Sequence, residues 1–174
     1  MKRLITLTLL IACATAQQYT RDGELALPDY RKWVYLGSGL GMTYTDGPAK
    51  ADPPFTNVFA EPRAYDEYMK TGLWPDKTVL IAEMRASSSA VSINKGGHIQ
   101  TSKLIALEAE VKDKSKGGWS FYGFEDGART GRPFAKTIPC YSCHEEHAAV
   151  DNTFVQFYPT LIDVAKKHGT YKER

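Results

Sequence analysis

Lys103-Leu104-Ile105-Ala106-Leu107-Glu108-Ala109-Glu110-Val111, separated by Lys112 to Lys116 and Gly117-Gly118 from Trp119-Ser120-Phe121-Tyr122-Gly123-Phe124, is the stretch on which the fold turns. Its first half is ambiguous, because leucine, alanine and glutamate suit a helix and the alternation of apolar with polar positions is unclean. Its second half alternates aromatic with small residues, the period-two pattern of a half-buried strand. A glycine pair between two such segments is turn chemistry, so the first half reads as the hairpin partner of the second and the sheet as antiparallel. The mixed charges of Lys112-Asp113-Lys114-Ser115-Lys116 then belong to a solvated hairpin turn rather than to a binding patch.

Working outward, Phe55 to Phe59 and Thr78 to Met84 read as further strands. Between them Glu61-Pro62 opens a helix through Tyr65, Tyr68 and Met69 that ends near Thr71-Gly72, with proline where a first helical turn tolerates it. Tyr30 to Leu36 carries apolar residues at helical spacing and predicts a short helix, followed by a glycine-rich loop over Gly37-Ser38-Gly39-Leu40-Gly41. Those glycines lack the preceding strand and following helix of a dinucleotide site. After Pro133 the character changes. Thr153 to Lys167 places Phe154, Phe157, Tyr158, Leu161 and Val164 on one apolar face, and Pro159 inside it predicts a kink or a restart. The fold class expected is α+β, a mostly antiparallel sheet with packed helices in a single domain over 17–174.

The chain opens on Met1-Lys2-Arg3, an apolar run from Leu4 to Ala12 and the small residues Ala14-Thr15-Ala16. That is the pattern of a secretory signal over 1–16, and the apolar run is far shorter than the roughly 20 residues a membrane span requires. Leu10-Ile11-Ala12-Cys13 also looks like a lipobox, which would make Cys13 a lipid-bearing N-terminus. The expected location is therefore the periplasm or outside the cell, with a membrane-anchored lipoprotein as the alternative. The formal charge of +2 includes Lys2 and Arg3, so removing the leader leaves the chain neutral, which argues against a nucleic-acid partner. Beyond Cys13 only Cys140 and Cys143 remain, too close in sequence to staple distant parts of a fold.

Cys140-Tyr141-Ser142-Cys143-His144 is C-x-x-C-H, the attachment signature of c-type haem. One turn of chain presents two thiols to the two vinyl groups of one porphyrin, and the adjacent imidazole then reaches the iron, making His144 the proximal ligand. A redox dithiol would belong beside a βαβ pattern, which is missing. Zinc would need further ligands, and His98, His147 and His168 show no finger spacing. A structural disulfide would leave His144 without a purpose.

With that motif on the page, the chain resembles the cytochrome P-460 family, which includes hydroxylamine-oxidising cytochromes and the related cytochromes c′-beta. The resemblance runs from about Glu24 to Leu161, through Glu24 to Pro28 and Tyr30 to Val34, Lys70-Thr71-Gly72, Thr78-Val79, Leu107-Glu108-Ala109, Val111-Lys112-Asp113, Trp119-Ser120-Phe121, Cys140 to His144 and Phe154 to Pro159. It implies a mostly antiparallel sheet, one covalent haem with an open or weakly occupied distal side, and a small nitrogen species such as nitric oxide or hydroxylamine as ligand or substrate. It also implies a redox partner protein, and a homodimer is a further expectation. In the family, hydroxylamine oxidation depends on a lysine bonded to the porphyrin edge, within a segment resembling T-V-x-V-K-E-L. Here that segment is Thr78-Val79-Leu80-Ile81-Ala82-Glu83-Met84, and Ala82 takes the lysine's place, so hydroxylamine oxidase activity does not simply carry over, while an oxidoreductase of another kind stays open. Lys95 in its glycine-flanked loop is the alternative lysine.

The distal side decides between binding and electron transfer, because a methionine in the sixth position raises the potential. Met42, Met69, Met84 and His98 are the candidates, with Met84 on the same strand face as Ala82. His98 and His147 are expected to face water, or in the case of His147 a propionate, and Glu83, Glu145 and Glu146 are the carboxylates available for proton transfer. Two alternatives to turnover remain open: a six-coordinate electron carrier, and a gas sensor or scavenger.

Overall fold

A computed structural model of the chain describes residues 19–44, 46–48, 50–89 and 91–173; the expected leader and Cys13 lie outside them. Among the described residues the strands form one seven-stranded antiparallel sheet, accompanied by three α-helices. Strands β2 (Val34–Leu40), β3 (Phe55–Ala60), β4 (Val79–Ser88), β5 (Ile99–Asp113), β6 (Gly118–Phe124) and β7 (Thr130–Pro133) follow one another across the sheet as a meander, and β1 (Leu25–Ala26) pairs with β7 at the far edge. Helix α1 (Pro62–Thr71) interrupts the meander between β3 and β4, while α2 (Pro139–His147) and α3 (Pro159–Lys167) follow it. No described helix is long and apolar enough to cross a membrane.

The ambiguous stretch is a strand. Leu107, Ala109 and Val111 of β5 face one side and are buried, whereas Glu108, Glu110 and Lys112 face the other. β6 pairs with it from Leu107↔Phe124 to Asp113↔Gly118, around a turn in which Gly117 and Gly118 take φ of 85° and 98° that an L side chain rarely adopts. The turn is less solvated than its charges predict. Lys114 to Lys116 are exposed, but Asp113 is 2% exposed and bonded to Lys77 and Ser115, and Lys112 reaches inward.

Two apolar layers result. On one face Leu36, Ala60, Leu80 and Trp119 pack against Tyr68 of α1 and against Leu161 and Ala165 of α3. On the other, Val79, Ile81, Leu107, Val111 and Tyr122 are covered by Leu25, Leu27, Tyr30 and Trp33 of the N-terminal segment. Helix α1 begins at Glu61, whose carboxylate accepts from the Arg63 and Ala64 amides, and ends at Gly72 with φ of 69°. Pro159 restarts the chain after a 3-10 turn at Val155–Phe157.

The expected helix over Tyr30 to Leu36 and the glycine loop after it are corrected. Only Tyr30–Lys32 is helical, as a 3-10 turn, and Val34–Leu40 is the edge strand β2. Gly37 and Gly39 lie in register with Val58 and Thr56 of β3. A Cβ at Gly39 would strike the Met42 thioether, so these glycines serve close packing over the strand rather than flexibility.

Candidate haem-binding site

Proline opens α2, and Cys140, Cys143 and His144 then fall at i, i+3 and i+4, the spacing that puts side chains on one helical face. Both thiols are free. Burial, with Glu108 nearby, pushes the Cys140 thiol above its ordinary range, the reverse of the depressed value that marks a nucleophilic dithiol.

α2 rests against the sheet through Tyr141, whose ring meets Phe121 edge-on and whose hydroxyl accepts from the Phe121 amide at 3.2 Å. That contact brings His144 over β5 and β6, its ring 4.5 Å from Phe121 and 4.4 Å from Phe154, centroid to centroid. The two ring nitrogens meet different surroundings. Nδ1 lies 2.8 Å from the Asn152 carbonyl, a group that can only accept, so Nδ1 carries the hydrogen and Nε2 presents a lone pair. Nε2 lies 3.5 Å from Oε1 of Glu110. Burial lowers the His144 pKa and the Asn152 contact partly counters it, which favours the neutral imidazole that a metal requires.

The sheet beneath His144 carries two cross-strand rows, Ala60-Leu80-Glu110-Phe121 and Val58-Ala82-Glu108-Gly123. Met84, opposite Ala106, is two residues from Ala82 on the same face. Glu110 keeps 20% of its side chain exposed, yet its Oε2 is enclosed with no hydrogen-bond partner. Burial first, and the adjacent Glu108 second, push its pKa up to about 8. A cleft of about 600 Å³, within the range of small-molecule sites, continues this face past Ala106, Glu108, Gly123 and Phe134. Tyr44, 71% exposed, stacks on Phe154, which stacks in turn on Phe157, 44% exposed. Two thiols and an imidazole of fixed tautomer on one helix face, small residues at Ala82 and Ala106, and an orphaned acid oxygen together fit a covalently held haem.

The other candidates are scattered. Glu83 is on the opposite face of β4, 1% exposed and bonded to Tyr30, Arg31 and Arg85. Glu145, Glu146 and His147 are exposed on α2, and Lys95 is exposed at the tip of the β4–β5 hairpin, beyond the end of the strand that carries Ala82. His98 does not simply face water: its Nε2 lies 3.0 Å from the Ala51 carbonyl. Met42 packs over Gly39 and Met69 is 39% exposed on α1. Sequence reasoning missed Glu110, Asn152 and Tyr44 as site residues. The alternation of Glu108, Glu110 and Lys112 opposite Leu107, Ala109 and Val111 was the available signal, but such a row ordinarily marks a solvated face.

A search for known families matches the cytochrome P-460 model over residues 27–155. No curated protein matches the chain.

Proposed function

The chain belongs to the cytochrome P-460 family of haem proteins, and from that premise we propose that it is an exported mono-haem c-type cytochrome that binds or redox-converts a small nitrogen species such as nitric oxide or hydroxylamine. Cys140 and Cys143 would hold haem through thioether bonds and His144 would ligate its iron. The observation that carries the reading is the disposition of His144, with Nδ1 committed to the Asn152 carbonyl and Nε2 directed at a face where an acid oxygen has no partner.

Bound there, haem supplies reversible binding of small ligands and one-electron chemistry. The chain's own residues do the rest. His144 donates from one side through Nε2. Burial and the neighbouring Glu108 favour the protonated form of Glu110, in which it can donate a hydrogen bond. Phe121 and Phe154 flank the imidazole and shield it from water. Ala82 has no amine, so the bond between lysine and porphyrin that the family resemblance attaches to hydroxylamine oxidation has no counterpart at this position. Ligand binding or a different redox conversion is favoured over that reaction.

The test is the absorption spectrum of haem-loaded protein, oxidised and reduced, with and without nitric oxide. The proposal expects a high-spin spectrum that changes when nitric oxide is added to the reduced protein. Sharp low-spin bands indifferent to nitric oxide would overturn it and favour an electron carrier, with Met84 as the first residue to substitute.

A further inference from the structure

The Asn152 carbonyl reaches His144 from an unusual piece of backbone. Asp151 and Asn152 both have positive φ, 46° and 59°, a left-handed pair of non-glycine residues of the kind found in tight turns that their surroundings hold in place. They form a two-residue turn between Val150 and Thr153, which exchange backbone hydrogen bonds of 3.3 and 2.8 Å. Thr153 donates its hydroxyl to the Val150 carbonyl at 2.7 Å and accepts from the Trp74 indole at 2.8 Å. Asp151 is gripped on both oxygens, by Lys112 Nζ at 2.5 Å and by the Trp119 indole at 3.3 Å. Lys112 is itself fixed, donating to the Trp74 carbonyl at 2.7 Å with its side chain only 16% exposed. A backbone carbonyl cannot swing toward a ring as a side chain can, so its distance from Nδ1 is set by whatever places Asp151.

We propose that Lys112 is a positioning residue for the proximal histidine: its ion pair with Asp151 sets the Asp151-Asn152 turn, and thereby the hydrogen bond that Asn152 accepts from His144 Nδ1 and the electron donation of Nε2 to iron. This rests on the reading of His144 as the iron ligand. The Nδ1–H partner of a metal-bound imidazole raises its basicity, and a more basic axial ligand stabilises the oxidised iron and lowers its potential. One strand thus governs both nitrogens, with Glu110 facing Nε2 and Lys112, two residues on, holding Nδ1 through the turn.

The experiment is the reduction potential of the haem-loaded protein in Lys112→Met, Asp151→Asn and Lys112→Arg. Removing the cation alone would lower the potential through space, and removing the anion alone would raise it. Loss of positioning raises it in both. The expected result is an upward shift in Lys112→Met and in Asp151→Asn, with Lys112→Arg returning toward the wild type. Shifts of opposite sign, or no shift, would overturn the inference and leave the pair a purely structural one. His144→Ala separates the two levels of the argument: if its haem-loaded spectrum equals that of the wild type, the ligation reading fails and this inference fails with it.

Discussion

A carboxylate 1% exposed, as Glu83 is, persists in its charged form only where donors replace the water it has lost. Burial pushes its pKa up, but Arg85, Tyr30 and Arg31 bond to it and the net effect is downward; burial first, and the bond to Glu83 second, push the Tyr30 hydroxyl up to about 12. Glu83→Ala strands Arg85 and the Tyr30 hydroxyl, and we expect it to cost about 3 kcal/mol in denaturant unfolding, since one partner of a buried pair is removed. A midpoint equal to the wild type would show that the network contributes nothing. Asp113 gives a pH signature. Burial raises it, Lys77 and Ser115 outweigh that, and the net value is about 2. Its folded pKa is below its unfolded value, so the stabilisation is complete above about pH 4 and is lost as the pH falls through about 2. With Lys77 40% exposed at its side chain, the loss is on the order of 1 kcal/mol. Lys77→Met removes the lysine's share, and its stability curve should fall less steeply in acid than that of the wild type.

At the scale of elements, β5 ties the molecule together, paired with β4 along most of its length and with β6 from Leu107 to Asp113, and presenting opposite chemistry on its two faces. The glycine pair that ends it was legible in the sequence because only glycine accepts such φ without cost. Gly118→Ala should destabilise by about 1 kcal/mol through backbone strain alone, since open space surrounds its Cβ position. Helix α1, its proline, its Gly72 cap and the restart at Pro159 were legible for similar reasons, each resting on a local rule that tertiary packing did not need to override. Strand β2 was illegible. Tyr30, Trp33 and Val34 do fall at helical spacing, and what makes Val34–Leu40 a strand is the partner β3, roughly twenty residues on. The site divides in the same way. The candidates Cys140, Cys143 and His144 declare themselves by spacing within one turn of helix, whereas the Asn152 carbonyl and Glu110 come to His144 through a turn and a strand register that only the assembled fold brings together. The attachment of α3 is testable in isolation: Leu161, fully buried among Tyr68, Val155 and Ala165, should cost about 3 kcal/mol as Leu161→Ala.

At the scale of the whole molecule, the sheet separates two tasks. The face covered by the N-terminal segment holds the Glu83 network and an apolar layer that stabilise it, while the face under α2 and α3 combines a second apolar layer with the adjacent rows that carry Glu110 and, beside it, Ala82 and Glu108. A haem tethered to α2 would make its contacts with those rows, and keep His144 as ligand, only in the folded state, and would thereby raise its stability. Thermal unfolding of the haem-loaded protein should therefore begin at a higher temperature than that of the Cys140→Ser, Cys143→Ser double variant. The most direct test of the account is whether haem stays with the polypeptide after the chain has been unfolded. Protein matured in a host that exports it and attaches haem should, once denatured, show haem absorbance migrating with the chain and a mass increased by one haem, both lost in the double cysteine variant. A wild-type chain that gives up all its haem on denaturation, or a double variant that keeps it, would contradict the assignment of Cys140, Cys143 and His144 as the haem site.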